Sequence, residues 1–284
     1  MNSSSVVSMS HKGKILMLHG WLQNAKIFHD KSLGFMKQLR STPLQEFDFI
    51  DAPLTPSEDD LKHSLATAIV KKKENDVQYR TWIYSRADRT VYAFWKHSTL
   101  HILKHMKGKN FDALLGFSQG GVMVSMVGAL VTLYHHGLLN REHLPATFFE
   151  EQEHDEDETT FDEIIDMVRQ VFFTKRMNDN GVEEQVCSLK FLILVGTFKP
   201  LSIQSSELVQ VLTSRGLKIG SGLFTSCHIF GLEDNIIPPE RSRELADDWY
   251  PKDSLLLTHP KKHILPTGEG FDKEELRRFI RSSL

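Results

Sequence analysis

Short apolar runs alternate with segments of helical spacing along most of this 284-residue chain. The runs have the length and composition of buried strands, and the segments between them carry apolar residues three and four positions apart. Such alternation predicts an α/β fold with a mostly parallel central sheet and helices on both faces. The predicted strands are 15–18, 47–50, 113–115, 191–195, 223–230 and 254–257, and the predicted helices are 92–106, 121–134, 240–249 and 273–280.

Composition is that of an ordinary globular protein, with 40% hydrophobic and 25% charged residues. We predict a flexible N-terminus over 1–12 and a single domain over 13–284. The net charge of −3 gives no indication of nucleic-acid binding. The short basic run at 71–73 is interpreted as a solvated patch.

The two cysteines, Cys187 and Cys227, do not form a disulfide framework or a metal-binding spacing. The N-terminal residues lack the apolar core of a signal peptide, and no run is long enough to span a bilayer. We therefore expect a cytoplasmic protein with access to the nucleus.

An acidic stretch interrupts the alternation, with seven acids among the nine residues of 150–158. Such a run repels itself and predicts a solvated loop, although it is also a candidate ligand for a basic partner. Apolar residues at helical spacing follow over 161–173. That helix is expected either to cap the edge of the sheet or to form a lid, within an insertion spanning about 148–186.

The pentapeptide GFSQG, residues 116–120, lies between a predicted strand and a predicted helix. This context is that of a nucleophile on a strained strand-to-helix turn, with Ser118 as the nucleophile. The alternative is a glycine-rich turn that contains a serine by chance.

A serine nucleophile needs a base and an acid that orients the base, and in α/β-hydrolases they follow in the order acid, then histidine. Asp234 and Glu233 both follow the predicted strand 223–230, and spacing alone does not choose between them. His259 and His263 both follow the strand 254–257. A metal site using both histidines is disfavoured, because Pro260 interrupts the helix that their spacing would require.

An oxyanion requires preorganised N–H donors. We expect one from the backbone of Gln119, at the positive end of the following helix, and the second from Trp21 or Leu22, after the first strand. His19 is expected to be a buried histidine bonded to backbone.

Five segments in the same order resemble the FSH group of serine hydrolases, which is related to the ovarian tumour-suppressor candidate protein. They read LHGWLQN, FDFIDAP, GFSQG, GLEDNIIP and HPKKHILP, at 18–24, 47–53, 116–120, 231–238 and 259–266. The match favours Asp234 over Glu233 and His263 over His259. Lys261 and Lys262 replace the usual glycine pair of the family.

The resemblance implies an α/β-hydrolase fold and cleavage of small-molecule carboxylic esters or thioesters through an acyl-enzyme, without a metal or cofactor. Trp21, Phe117 and Met123 are candidates for an acyl pocket, although packing in the core explains these apolar residues equally well. The alternatives are an acyl-protein thioesterase or lipase-like hydrolase with the same triad, and a non-catalytic binding protein on the same fold.

Overall fold

A six-stranded parallel sheet forms the centre of the molecule. The computed structural model describes residues 12–56, 61, 78–85, 92–149 and 159–284. The strand order is β10-β9-β8-β5-β1-β2, and two short antiparallel pairs, β3–β4 and β6–β7, lie outside this sheet. The strands are β1 Gly13–Leu18, β2 Leu44–Ile50, β3 Tyr84–Ser85, β4 Tyr92–Ala93, β5 Ala113–Phe117, β6 Phe173–Met177, β7 Glu183–Cys187, β8 Phe191–Val195, β9 Thr225–Gly231 and β10 Leu255–His259.

Both faces of the central strands are buried, which explains why their sequences are almost continuously apolar. In β1, Leu16 and Leu18 enter one core, while Ile15 and Met17 enter a second core on the opposite face. The same alternation in β5 and β8 extends both cores across the sheet.

Helices cover the two faces as the α/β prediction required. The helices are α1 Ala25–Leu39, α2 Trp95–Met106, α3 Gln119–His135, α4 Phe161–Phe172, α5 Ile203–Thr213, α6 Pro239–Trp249 and α7 Lys273–Ser283. Buried residues of α1 and α7 belong to the core that contains Ile15, whereas those of α2 to α6 belong to the core that contains Leu16. The predicted fold class is therefore confirmed.

Several predicted boundaries differ from those in the structure. The expected helix 92–106 begins at Trp95, because Tyr92 and Ala93 form β4. The helix expected from 121 begins at Gln119, and the strand expected from 223 begins at Thr225. Helices α1 and α5 were not predicted.

The segment expected as a lid or edge cap corresponds to α4. Its first turn is fixed by a capping box, in which Thr160 and Glu163 bond reciprocally. Ile164, Val168 and Phe172 are fully buried in the core that α4 shares with α2 and α3. The chain then turns directly into β6. This packing places α4 in the helical layer on that face of the sheet.

Several predictions fall on parts of the chain outside the described residues, namely the flexible N-terminus up to residue 11, the basic run 71–73 and the acidic stretch 150–158. Within the described ranges, none of the helices has both the length and the apolar character that crossing a membrane requires.

Candidate active site

Ser118 lies on a sharp turn between β5 and α3. Its backbone has φ 53° and ψ −119°, a strained conformation for a residue with a side chain. Its N–H donates to the carbonyl of Val195 at 2.9 Å, which ties the turn to the neighbouring strand β8. The turn therefore presents the serine side chain at the carboxyl edge of the sheet, where open α/β sheets form their sites.

The glycines around Ser118 are required by close packing. A Cβ atom on Gly116 would lie 2.4 Å from Cα of Gly121, and one on Gly120 would lie 2.4 Å from the carbonyl oxygen of Leu18. A Cβ on Gly121 would lie 1.8 Å from Oγ1 of Thr197. The turn can pack this closely against the start of α3, the end of β1 and Thr197 only without side chains at these positions.

Asp234 follows β9, and its buried carboxylate is held on both oxygens. Oδ1 accepts the N–H groups of Ile236 and Ile237, each at 2.9 Å, and Oδ2 lies 2.6 Å from Nδ1 of His263. Burial alone would raise the pKa of this carboxyl. The hydrogen bond and positive charge of His263, with the two backbone donors, outweigh burial and hold the pKa below its ordinary value.

His263 lies on the loop after β10, with its ring centroid 4.7 Å from that of Phe117. Gly196, which has φ +54°, leaves room for the imidazole, because a Cβ there would lie 2.9 Å from Cε1 of His263. His263 and Ser118 line the same cavity of about 450 Å³. The loops therefore bring the predicted serine, acid and histidine to one edge of the sheet.

The competing acid and histidine are placed differently. Glu233 is exposed, and its backbone N–H bonds to the carbonyl of Lys261. His259 is the last residue of β10, where burial lowers the pKa of its imidazole. The carboxylate–imidazole pair is formed by Asp234 and His263.

Apolar side chains form most of the cavity wall. Of the three acyl-pocket candidates, Trp21 and Phe117 line this cavity, whereas Met123 is fully buried in the core, which is the alternative that the sequence left open for it. Residues of α1 and of the loop after His263 form much of the remainder: Phe28, Lys31, Ile264, Leu265 and Thr267. Phe28 and Lys31 were missed because α1 was not predicted, and the Asn24 cap at its start was the available signal.

The expected oxyanion donors lie on the two turns next to Ser118. Gln119 is the first residue of α3, where the backbone N–H has no intrahelical acceptor and the helix dipole is positive. The turn after β1 packs directly on the serine, because a Cβ on Gly20 would lie 3.3 Å from Cβ of Ser118. Trp21 lines the cavity, and Leu22 is buried with φ 53°.

His19 is buried and bonded to backbone, as expected. Nδ1 donates to the carbonyl of Gly20 at 2.8 Å, and Nε2 accepts the N–H of Ala52 at 3.0 Å. These partners fix a neutral tautomer, and burial lowers the pKa of the imidazole to about 4. His19 thereby braces the turn that carries the expected second oxyanion donor.

Comparisons with known proteins found matches over most of this chain. A family model described as serine hydrolase (FSH1) matches residues 9–274. The Saccharomyces cerevisiae protein named family of serine hydrolases 3 is 24% identical, covering 93% of this chain and 82% of that relative. An esterase of Anopheles gambiae is 31% identical, covering 96% of this chain and 79% of that relative. Zea mays acyl-protein thioesterase 2 superposes with a TM-score of 0.49 at 13% identity, covering 96% of this chain and 94% of that one.

Proposed function

The chain belongs to the FSH1 family of serine hydrolases, and we propose that it cleaves small carboxylic esters with Ser118, His263 and Asp234 through an acyl-enzyme. The observation that supports this most strongly is the His263–Asp234 pair at 2.6 Å, since its imidazole shares a cavity with a serine on a strained turn. Without a base a serine hydroxyl is a weak nucleophile, and this arrangement supplies one.

Acylation begins when Oγ of Ser118 attacks the acyl carbon of the ester. Nε2 of His263 takes the hydroxyl proton, while Nδ1–H remains bonded to Asp234. The tetrahedral intermediate collapses, the bond to the leaving oxygen breaks, and the imidazolium returns its proton to the departing alcohol. The acyl group is then bound to Ser118 as an ester.

Deacylation repeats these steps with water. Water attacks the acyl carbon while His263 removes one of its protons. The second intermediate then collapses, the bond between the acyl carbon and Oγ of Ser118 breaks, and the imidazolium returns that proton to Oγ as the carboxylic acid leaves. Asp234 stabilises the imidazolium in both stages, and its lowered pKa keeps the carboxyl ionised.

Two backbone N–H groups would stabilise the negative oxygen of each intermediate. The proposed donors are Gln119, at the start of α3, and Trp21 or Leu22, on the turn after β1. Loss of one such donor reduces the rate by about 10²–10³-fold in comparable sites. Placement of these two turns is therefore as important as the triad itself.

The cavity indicates what kind of ester fits. Phe28, Phe117 and Leu265 form an apolar surface beside Ser118, suited to the hydrocarbon part of a substrate. Thioesters present the same acyl carbon, so they belong to the same proposal.

We further propose a single domain over 13–284. We also propose a cytoplasmic location, because the unpaired Cys187 and Cys227 favour a reducing compartment.

Pre-steady-state hydrolysis of p-nitrophenyl esters tests the proposal, with acyl thioesters assayed in parallel. Wild type should release one equivalent of nitrophenol in a burst, if deacylation is slower than acylation, followed by steady turnover, and Ser118→Ala should show neither. Ser282→Ala, an exposed serine on α7, is the matched control and should behave as wild type. Absence of turnover of every ester and thioester by wild type, or equal turnover by Ser118→Ala, would favour the non-catalytic alternative.

A further inference from the structure

Trp82 is a fully buried side chain that contacts the turn after β1. Its indole N–H donates to the carbonyl of His19 at 2.8 Å, and its ring centroid lies 5.2 Å from that of His19. An indole has one donor and no acceptor, so this bond fixes the orientation of the ring. Trp82 therefore holds the backbone of the turn one residue before Gly20.

The side chain of Gln119 holds the segment that carries Trp82. Its Oε1 accepts the backbone N–H of Trp82 at 2.9 Å and also accepts from the hydroxyl of Thr81 at 3.0 Å, whose single proton is shared with the carbonyl of Ile83 at 3.0 Å. Its Nε2 donates to the carbonyl of Ile83 at 3.2 Å. Three hydrogen bonds thus connect the residue after the nucleophile with three consecutive residues of a distant segment.

A second connection joins the same two segments. Gln23 uses Oε1 to accept the N–H of Gly20 at 3.2 Å, and its backbone carbonyl accepts the N–H of Arg80 at 2.8 Å. The turn after β1 is consequently attached to residues 80–82 at both of its ends, through His19 and through Gln23.

We propose that Trp82 and the side chain of Gln119 are positioning residues that fix the turn 19–22 relative to Ser118. This inference rests on the proposed function, because it assigns the geometry of the oxyanion hole to these contacts. One donor belongs to the backbone of Gln119 and the other to the turn, and the Gln119 side chain and Trp82 form a continuous hydrogen-bonded path between them. The two donors can then act on one oxygen atom.

The position of the turn affects the rate because hydrogen bonds in a preorganised site act only over a short range. Displacement of a reacting group by about 1 Å can cost roughly 10²-fold in rate. Loss of the Trp82 bond leaves His19 with its remaining contacts to Gly20 and Ala52, which permit a small movement of the turn. Chemistry should be affected, while the apolar cavity that binds the substrate is retained.

Two substitutions test the path, each normalised to active sites by titration with a fluorophosphonate. Trp82→Phe keeps an aromatic ring but removes the indole donor. Gln119→Leu removes the side-chain hydrogen bonds to residues 81–83 but keeps the backbone N–H. Each should lower kcat by about 10–100-fold with little change in KM. The affinity for a trifluoromethyl ketone, whose hemiketal adduct carries an oxyanion, should fall by a similar factor.

Because both substitutions interrupt one path, their effects should not multiply in the double variant. Trp249→Phe is the matched control, since Trp249 is a buried tryptophan of α6 outside the path, and it should retain wild-type kcat and inhibitor affinity. If Trp82→Phe fails to fold, Gln119→Leu and Thr81→Val decide the question by the same readouts.

Folded variants with unchanged kcat and unchanged ketone affinity would overturn the inference, as would a change confined to KM or independent effects in the double variant. Failure of the proposed function is distinguishable, because wild type itself would then neither react with the fluorophosphonate nor turn over an ester.

Discussion

Nδ1 of His263 lies 2.6 Å from Oδ2 of Asp234, while Oδ1 of the same carboxylate accepts two backbone N–H groups. The carboxylate cannot rotate without losing hydrogen bonds, so it presents one oxygen to the imidazole in a fixed direction. This arrangement selects the tautomer that carries its proton on Nδ1, and the proposed base is then Nε2.

Asp234→Asn should therefore lower kcat by roughly 10³–10⁴-fold while the protein remains folded, because an amide of the same shape no longer stabilises the imidazolium. Steady-state ester hydrolysis provides the measurement. Glu233→Gln is the neighbouring control, and its activity should match wild type because Glu233 is exposed. If Glu233→Gln were inactive and Asp234→Asn active, the acid would be Glu233, and the assignment of Asp234 would be wrong.

Substitutions of His259, the last residue of β10, and of His263, on the loop that follows, should differ in their effect on turnover in the same assay. His263→Gln should abolish turnover, since the base is lost, whereas His259→Leu should retain activity of the same order as wild type. His259 is buried at the end of the strand, and leucine fits such a site without a polar group. Loss of turnover only in His259→Leu would contradict the assignment of His263.

Gly34, on α1, lies directly behind the cavity wall. A Cβ at this position would lie 2.7 Å from Cγ2 of Thr267, which lines the cavity. Gly34→Ala should displace Thr267 into the cavity and lower kcat/KM increasingly as the acyl chain of a p-nitrophenyl ester lengthens.

Thr267→Ser removes the methyl group that the new Cβ would meet. In the background of Gly34→Ala it should restore much of kcat/KM for the longer esters. Equal losses for short and long chains, or no restoration by serine, would show that this side of the cavity does not receive the acyl chain.

His228 gives the protein a pH-dependent stability that is independent of catalysis. Its ring is buried against that of Tyr250, with centroids 4.6 Å apart, and burial lowers its pKa from 6.5 to about 3. The unfolded chain therefore binds a proton that the folded chain does not, and stability is lost as the pH falls below about 6.5. Between pH 7 and 5 this histidine should lower the free energy of unfolding by about 2 kcal/mol.

Urea denaturation at the two pH values measures this effect. His228→Gln cannot titrate, so its free energy of unfolding should fall less than that of wild type over the same interval, whatever its absolute stability. Equal decreases in the two proteins would show that His228 does not contribute to the acid sensitivity.

Sequence reasoning placed Ser118, Asp234 and His263 at strand ends because parallel strands bring their carboxyl ends to one edge of a sheet. Spacing did not choose between Asp234 and Glu233 or between His263 and His259. The resemblance to the family favoured Asp234 and His263, and the structure adds that these two side chains are hydrogen-bonded to each other. The FSH1 match then identified the family.

The parts that sequence could not provide depend on contacts between distant segments. Phe28 and Thr267 meet at the cavity only because α1 packs beside the loop after His263. The Gln119 side chain bonds to residues 81–83, more than 30 positions away, and no local pattern indicates that contact. For Met123 the sequence left an acyl pocket and core packing equally open, and the structure places this side chain in the core.

The most direct measurement is peptide mapping by mass spectrometry after reaction with a fluorophosphonate. We expect one adduct per chain, located on Ser118, with no adduct in Ser118→Ala and strongly slowed labelling in His263→Gln. An unmodified wild type, or an adduct of equal yield in Ser118→Ala, would contradict the claim that this serine is the nucleophile.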